Sequence, residues 1–391
     1  MKKFSLILVF LATLVVPLKS FSQFSEIEVK NIISQASEKE LVVECSRMLQ
    51  ENFFHFADLI TDKLLKMNPE SANYKYRKGF IELTMRQDYL KAIELFSAAS
   101  GSIDKNYDMY SIKEGAVPAD IFYHLGRAYH LNEDFAKATE NYKQFLTQTS
   151  KESELIEYAE KGILQCEVAK KLMATPKDVI VENLGDSINT EYADFSSNIS
   201  LDGRALYFTS RRPWEDGASN GFRDPLLNHY SEDIYISSIA DNDSWKSPSR
   251  MDMCKPQFNE ASVSVSIDER RVYTYNDKKG QGDIYFSDLK NGSFSPIAPV
   301  GKSGVNTEDR WETHYTVSPD GKMVFFVSDK ESGYGKRDIY FMEEKDGIWS
   351  EPKNIGGTIN SKWDEDAPFM GLDNNVLYFS SNSPESMGEF D

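Results

Sequence analysis

The tripeptide Asp-Ile-Tyr occurs three times in the second half of this chain, at 233–235, 283–285 and 338–340. Upstream of each lies a turn signal followed by a short apolar run. The turns are Ser200-Leu201-Asp202-Gly203, Ser266-Ile267-Asp268-Glu269 and Ser318-Pro319-Asp320-Gly321. A fourth, Gly371-Leu372-Asp373-Asn374, leads into Val376 to Ser381. Each unit opens with an Asn just before acidic residues: Asn189, Asn259, Asn306 and Asn360. Successive turn aspartates lie 66, 52 and 53 residues apart. A fixed period of this length means one supersecondary unit used repeatedly, each copy burying its neighbour's face. Gly, Asp, Asn and Ser between short apolar or alternating runs make that unit a set of strands. The longer first interval holds an inserted loop at about 213–231.

The first half has a different period. Only five of the 22 glycines precede Thr175, and all five tryptophans follow it. Before that point apolar residues recur at helical spacing, which places a boundary at 175–182. The clearest helical repeat runs from Ala119 to Ser150, with Leu125, Gly126 and Tyr129 on a first helix and Ala138 and Tyr142 on a second. An earlier copy, from Ala72 to Ser100, carries Gly79, Ala92, Phe96 and Ala99, with one extra residue between Gly79 and Ala92. A weaker first copy shows at Ala57, Leu64 and Pro69, and 154–173 reads as a closing helix. A small residue facing aromatics lets two helices cross closely, and about three units suffice for a stable stack.

These helical units resemble the tetratricopeptide repeat. The strand units resemble the blades of TolB-type β-propellers: Asn-rich lead-in, Ser-Pro-Asp-Gly turn, Leu-Tyr-Phe-Ser-Ser strand, Asp-Ile-Tyr strand. Phe325-Phe326-Val327-Ser328 and Leu377-Tyr378-Phe379-Ser380-Ser381 fit that pattern, while the second blade departs from it at Glu269 and Tyr273-Thr274-Tyr275-Asn276. The resemblance implies an α + β chain in separate domains: a signal peptide at 1–22, a helical solenoid at 23–175 and about three and a half propeller blades at 176–391. This order is similar to that of the OmpA-family envelope proteins of Bacteroidetes-like bacteria, including the PorE-type component linked to type IX secretion. Such relatives continue into a peptidoglycan-binding domain, so peptidoglycan is implied only for chains that carry it. A fourth Asp-Ile-Tyr would begin at Asp391, 53 residues after Asp338, which gives the expectation that this chain is a fragment of a longer protein.

Lys2 and Lys3 precede an apolar run from Phe4 to Leu18, and Ser20 and Ser22 supply small residues before Gln23. That is the grammar of a cleaved secretory signal. The run is shorter than the roughly 20 residues a membrane span needs. The net charge of −18 argues against a surface that tracks nucleic-acid phosphates. Cys45, Cys166 and Cys254 are an odd number, so at least one thiol is unpaired within the chain, and no pair has metal-ligand spacing.

Catalytic signals are weak. Gly217-Ala218-Ser219-Asn220-Gly221 matches a nucleophile elbow, but Arg211 to Asp216 before it and Phe222 to Pro225 after it lack the strand-turn-helix context. His124 and His130 are six apart, which does not place them on one helix face. A metal-dependent lyase family shares TolB-type propellers and uses several histidines. The strand half here has only His229 and His314. The acidic runs Glu308-Asp309, Asp364-Glu365-Asp366 and Asp241-Asn242-Asp243 lack the calcium-loop pattern and are expected to cap turns. The expectation is therefore a non-enzymatic protein without cofactor or metal, binding other envelope proteins at the periphery of the outer membrane. The alternative is a propeller-based hydrolase or lyase. The candidate binding stripe is Tyr123, Arg127 and His130, at spacings of four and three, with Tyr76 as the counterpart in the preceding unit. The competing reading is that Tyr123 packs against the neighbouring repeat.

Overall fold

The computed structural model describes residues 26–224, 226–241, 243–277, 282–301 and 304–391; the expected signal at 1–22 lies outside them. The helical region comprises α1 (Glu26–Gln35), α2 (Glu38–Gln50), α3 (Phe54–Met67), α4 (Ala72–Ile81), α5 (Tyr89–Ala99), α6 (Asp120–Leu131), α7 (Phe135–Gln148) and α8 (Leu155–Met173). Side chains set where several of these helices start. Ser37 and Glu40 form a reciprocal capping box on α2, and Ser71, Asp88 and Asp134 accept the exposed amides of Tyr74, Lys91 and Lys137. Short connections then force antiparallel pairing of α2 with α3, α4 with α5, and α6 with α7.

Glycine decides how closely these helices cross. A Cβ on Gly79 would lie 2.8 Å from the ring of Phe96 on α5. The extra residue between Gly79 and Ala92 is absorbed by a π-helical turn, Glu82–Arg86, which closes α4. A π-turn holds one more residue per turn, so the next helix still starts in the right direction. The long α5–α6 connection folds back over α2 and α4. There the buried Arg77 donates to Ser46 Oγ (3.0 Å), and both Arg77 and Ser46 bond the carbonyl of Met109. Among the described residues no helix is long and apolar enough to cross a membrane.

The second region is a series of antiparallel sheets. The first contains β1 (Asp194–Ile199), β2 (Ala205–Ser210), β3 (Asp233–Ser238) and β4 (Ser249–Arg250), paired in that order. The second contains β5 (Glu260–Val265), β6 (Arg271–Asn276) and β7 (Asp283–Lys290), with β8 (Ser293–Phe294) and β9 (Ala298–Pro299) both on β7. The third repeats this with β10 (Glu312–Val317), β11 (Met323–Ser328), β12 (Asp338–Lys345), β13 (Ile348–Trp349) and β14 (Lys353–Asn354). The fourth pairs β15 (Glu365–Met370) with β16 (Leu377–Ser381). First strands of successive sheets adjoin, β1 to β5 to β10 to β15, which is the arrangement of propeller blades.

Register repeats from blade to blade. Asp194, Ser210 and Asp233 stand in one row, as do Glu260, Asn276 and Asp283, and Glu312, Ser328 and Asp338. In the fourth blade Glu365 faces Ser381, and Ser381 exchanges both backbone hydrogen bonds with Asp391 (3.0 and 3.2 Å). At the other end of each hairpin a serine ties the turn: Ser200 to Asp202 (2.7 Å), Ser266 to Asp268 (2.7 Å) and Ser318 to Asp320 (2.6 Å). Glu269 takes φ 55° where Gly203 and Gly321 take 71° and 74°. A side chain there costs on the order of 1 kcal/mol, so the second turn keeps its shape at some strain. Blade faces bury Tyr207, Ile234 and Val272 between the first pair, Tyr273, Ile284, Tyr315 and Phe326 between the second, and Phe325, Val327 and Ile339 beyond.

Candidate functional site

The helical region lies against the loop end of the blades, where the acid–Ser/Asn–Asp rows sit. The Leu226 carbonyl accepts the His55 amide (3.0 Å), Lys336 bonds the Tyr158 hydroxyl, and Lys362 pairs with Glu157. The main contact is residues 382–389, which enter the groove between α6 and α8. Gln165 on α8 sends its side-chain amide to the carbonyls of Asn382 (3.1 Å), Ser383 (3.0 Å) and Gly388 (2.6 Å) and to Ser386 Oγ (2.8 Å). Lys161 donates to the Asn382 carbonyl (3.0 Å) and stands 4.1 Å over the Trp363 ring. His130 Nε2 lies 2.7 Å from the Met387 carbonyl, which can only accept. The proton is therefore on Nε2, and Nδ1 accepts from the Tyr142 hydroxyl at 3.3 Å. Arg127 reaches Glu389 at 3.3 Å.

In this structure the residues of the stripe expected from spacing have partners within the chain. Arg127 and His130 do share a face, but the face holds the chain's own residues 387–389 rather than standing open. Tyr123 is buried, with its ring 6.0 Å from Tyr142 and 5.7 Å from Phe145, so it packs against α7. Tyr76 packs among Phe96, Tyr107 and His124. The reason is that residues 382–389, from the loop end of the blades, enter the groove between α6 and α8. What remains is a cleft of about 270 Å³ lined by Tyr123, Arg127, His130, Tyr158, Lys161 and Gln165. Burial holds the pKa values of His130 and Lys161 below their usual ranges. Gln165, the central residue, was missed, although a polar residue in the buried phase of α8 between Gly162 and Ala169 was a visible signal.

The lead-in Asn residues have a specific task. Asn306 accepts the Ile284 amide (2.9 Å) and donates to the Ile284 carbonyl (2.8 Å), and Asn360 does the same to Ile339 (2.9 and 2.9 Å). Each thus pins the middle residue of the preceding Asp-Ile-Tyr. Asn259 does not occupy this position. It bonds the Glu232 amide (3.0 Å) and Asp277 (2.7 Å), and Cys254 stands in its place, accepting the Ile234 amide at 3.3 Å.

Around that thiol the fold converges what spacing kept apart. One ligand atom each from Asp233, Cys254 and Glu260 lies within 4.8 Å of the others, and all three residues are buried. Asp233 Oδ2 accepts Trp214 Nε1 (2.6 Å), while Oδ1 has no partner in hydrogen-bonding geometry. Desolvation raises Asp233 to about 6, against the Trp214 hydrogen bond. Desolvation, reinforced by the Asp233 charge, raises Glu260 to about 7, and it pushes the Cys254 thiol well up.

The other flagged groups have structural partners. Ser219 is buried, and its hydroxyl accepts the Trp214 amide at 2.8 Å. Glu365 accepts from Ser361 (2.6 and 2.8 Å) and Ser381 (3.0 Å). Asp364 accepts from Asn382 (3.0 Å), and Asp366 pairs with Arg337 and His314, both at 2.5 Å. His229 lies beside Arg211.

The chain is thus an α+β protein with an N-terminal helical region and a propeller-type β domain. TolB from Acinetobacter baumannii is similar at 18% identity over 50% of this chain and 41% of its own, with a TM-score of 0.30. A TolB-designated protein of Agrobacterium tumefaciens is similar at 18% identity over 51% of this chain and 60% of its own, TM-score 0.32. Prolyl oligopeptidase B from Galerina marginata is 9% identical over 49% of this chain and 22% of its own, TM-score 0.33. The chain therefore spans less than two thirds of each of these proteins. No family model and no curated protein matches the sequence.

Proposed function

We propose that this protein is a non-enzymatic scaffold of the bacterial envelope that binds other proteins through the hairpin-turn rim of its propeller. The observation that carries this reading is a repeated one. The residue after the turn serine, or after Gly371, is an exposed aliphatic in three blades: Leu201 at 60%, Ile267 at 47% and Leu372 at 62%. These turns lie at the opposite end of the blades from the helical region, whose groove is filled by residues 382–389. Neighbouring turns also touch: Asn374 accepts the Asp320 amide at 3.2 Å. Isolated exposed apolar side chains need no explanation, but an apolar residue recurs at this position in all four turns, half-buried Pro319 holding it in the third, which builds one contact surface.

The tetratricopeptide-like helix pairs would then brace the propeller. The signal-like N-terminus supports export to the periplasm, with outer-membrane association and a type IX secretion-type assembly as the setting that the sequence resemblance implies. The test is a photo-reactive side chain placed at Leu201 or Ile267 of the full chain in cells. A discrete protein adduct, lost on Leu372→Glu and absent when the probe sits at Val43 on α2, supports the scaffold. No adduct at either turn position, or turnover of a peptide or glycan substrate by the purified chain, refutes it and favours the hydrolase or lyase reading.

A further inference from the structure

We propose that Asp233, Cys254 and Glu260, between the first and second blades, form a binding site for one divalent transition-metal ion of the zinc class. The repeat supplies its own comparison. At the two later blade junctions the position of Cys254 is held by Asn306 and Asn360, whose amides both accept and donate to the backbone of the Asp-Ile-Tyr strand. A thiol does that work less well. Cys254 accepts the Ile234 amide at 3.3 Å, but its sulfur stands 3.9 Å from the Ile234 carbonyl. The departure from Asn thus weakens the backbone clamp at one junction only and introduces a soft ligand there.

The neighbouring aspartate departs from the pattern as well. Asp338, its counterpart two blades on, is satisfied by the amides of Tyr334 and Gly335 and by Asn354. Asp233 is fully buried with Oδ1 unpartnered, and Arg250 stands in the sheet position of Asn354. A buried carboxylate oxygen without a hydrogen-bond partner is costly to the fold, so it calls for a ligand. Cys, Asp and Glu are all zinc ligands, and three protein ligands with one further position is a common zinc arrangement. Binding would displace the thiol proton, leaving three anionic ligands around a 2+ ion. The Arg250 guanidinium, stacked 3.3 Å from the Trp214 ring centroid, lies on the same side to balance the remaining charge. The ligand atoms lie within 4.8 Å of one another and need draw together to only about 3.5 Å for tetrahedral bonds of ordinary length.

The test uses the full chain, stripped with a chelator and titrated with Co(II), followed by Zn(II). The expected result is a near-ultraviolet thiolate-to-cobalt band with intense visible bands, saturating at one ion per chain and bleached by Zn(II). Cys254→Asn restores the residue of the other junctions and should fold, with unchanged circular dichroism. It should lose the cobalt bands and the rise in melting temperature that Zn(II) gives the parent chain. Asp233→Asn should weaken Co(II) binding at least tenfold. No thiolate band in the parent chain, or bands that persist in Cys254→Asn, would overturn the proposal. The first result would leave Cys254 as a thiol that merely bonds the Ile234 amide and carbonyl.

Discussion

The ring of Tyr142 lies directly on Gly126: a Cβ built on that glycine would stand 2.6 Å from the ring. The same ring covers Gly162 of α8 from its other edge, where a Cβ would meet it at 2.7 Å. One tyrosine therefore sets the spacing of α6, α7 and α8 together. Gly126→Ala should destabilise the chain by about 1–3 kcal/mol through overpacking. Gly101→Ala, whose Cβ would meet nothing within 4 Å, should change stability by less than about 1 kcal/mol. Urea unfolding followed by circular dichroism measures both, and equal effects would contradict this account of the crossing.

Gln165 organises four acceptors of the segment that fills the helical groove. Gln165→Ala removes the short bond to the Gly388 carbonyl (2.6 Å) and the amide shared among the other acceptors, at a cost of about 1–3 kcal/mol. Hydrogen exchange should accelerate at 382–391 and at the amides of α8 that face it, while 260–345 stays protected. Uniform acceleration across both regions would mean that Gln165 supports global stability rather than docking.

His124 is surrounded by Phe80, Phe96, Tyr76 and Tyr123, and its Nδ1 has no partner. Burial, with the Arg127 charge adding, lowers its pKa to about 3. The folded state therefore keeps it neutral, while the unfolded chain protonates it near 6.5. Its contribution to stability is full above pH 6.5 and is lost as pH falls from there toward 3, reaching about 3 kcal/mol by pH 4. His124→Phe should flatten that part of the stability–pH curve relative to the parent. Parallel curves for the two proteins would show that His124 does not titrate in this window.

Ser219 lies in the inserted loop, with its hydroxyl on the Trp214 amide. A fluorophosphonate probe should not label it, and Ser219→Ala should cost about 1 kcal/mol through the lost hydrogen bond. Labelling of Ser219 in the folded chain would reopen the hydrolase reading.

Much of the fold was legible because repeats are local. Turn serines, small helical residues and the Asp-Ile-Tyr strands recur at spacings that set register without reference to anything distant. Even Asp391 pairs with Ser381, where the 53-residue period from Asp338 places it. The spacing of α4 and α5 was readable except for its extra residue, whose absorption in a π-turn depends on the Phe96 contact beneath Gly79. Asn259 misled because it carries the right residue type near the right acid, while the clamp position itself holds Cys254.

The sequence by itself determined the two periods, the boundary between helices and strands, and the residues each repeat uses internally. Only the tertiary structure decided that Arg127 and His130 hold residues 387–389, and that Asp233, Cys254 and Glu260 meet. Those contacts join residues as far as 262 positions apart. They follow from where loops at one end of the blades meet α3, α6 and α8, contacts made between residues distant along the chain. No spacing rule along the chain encodes them.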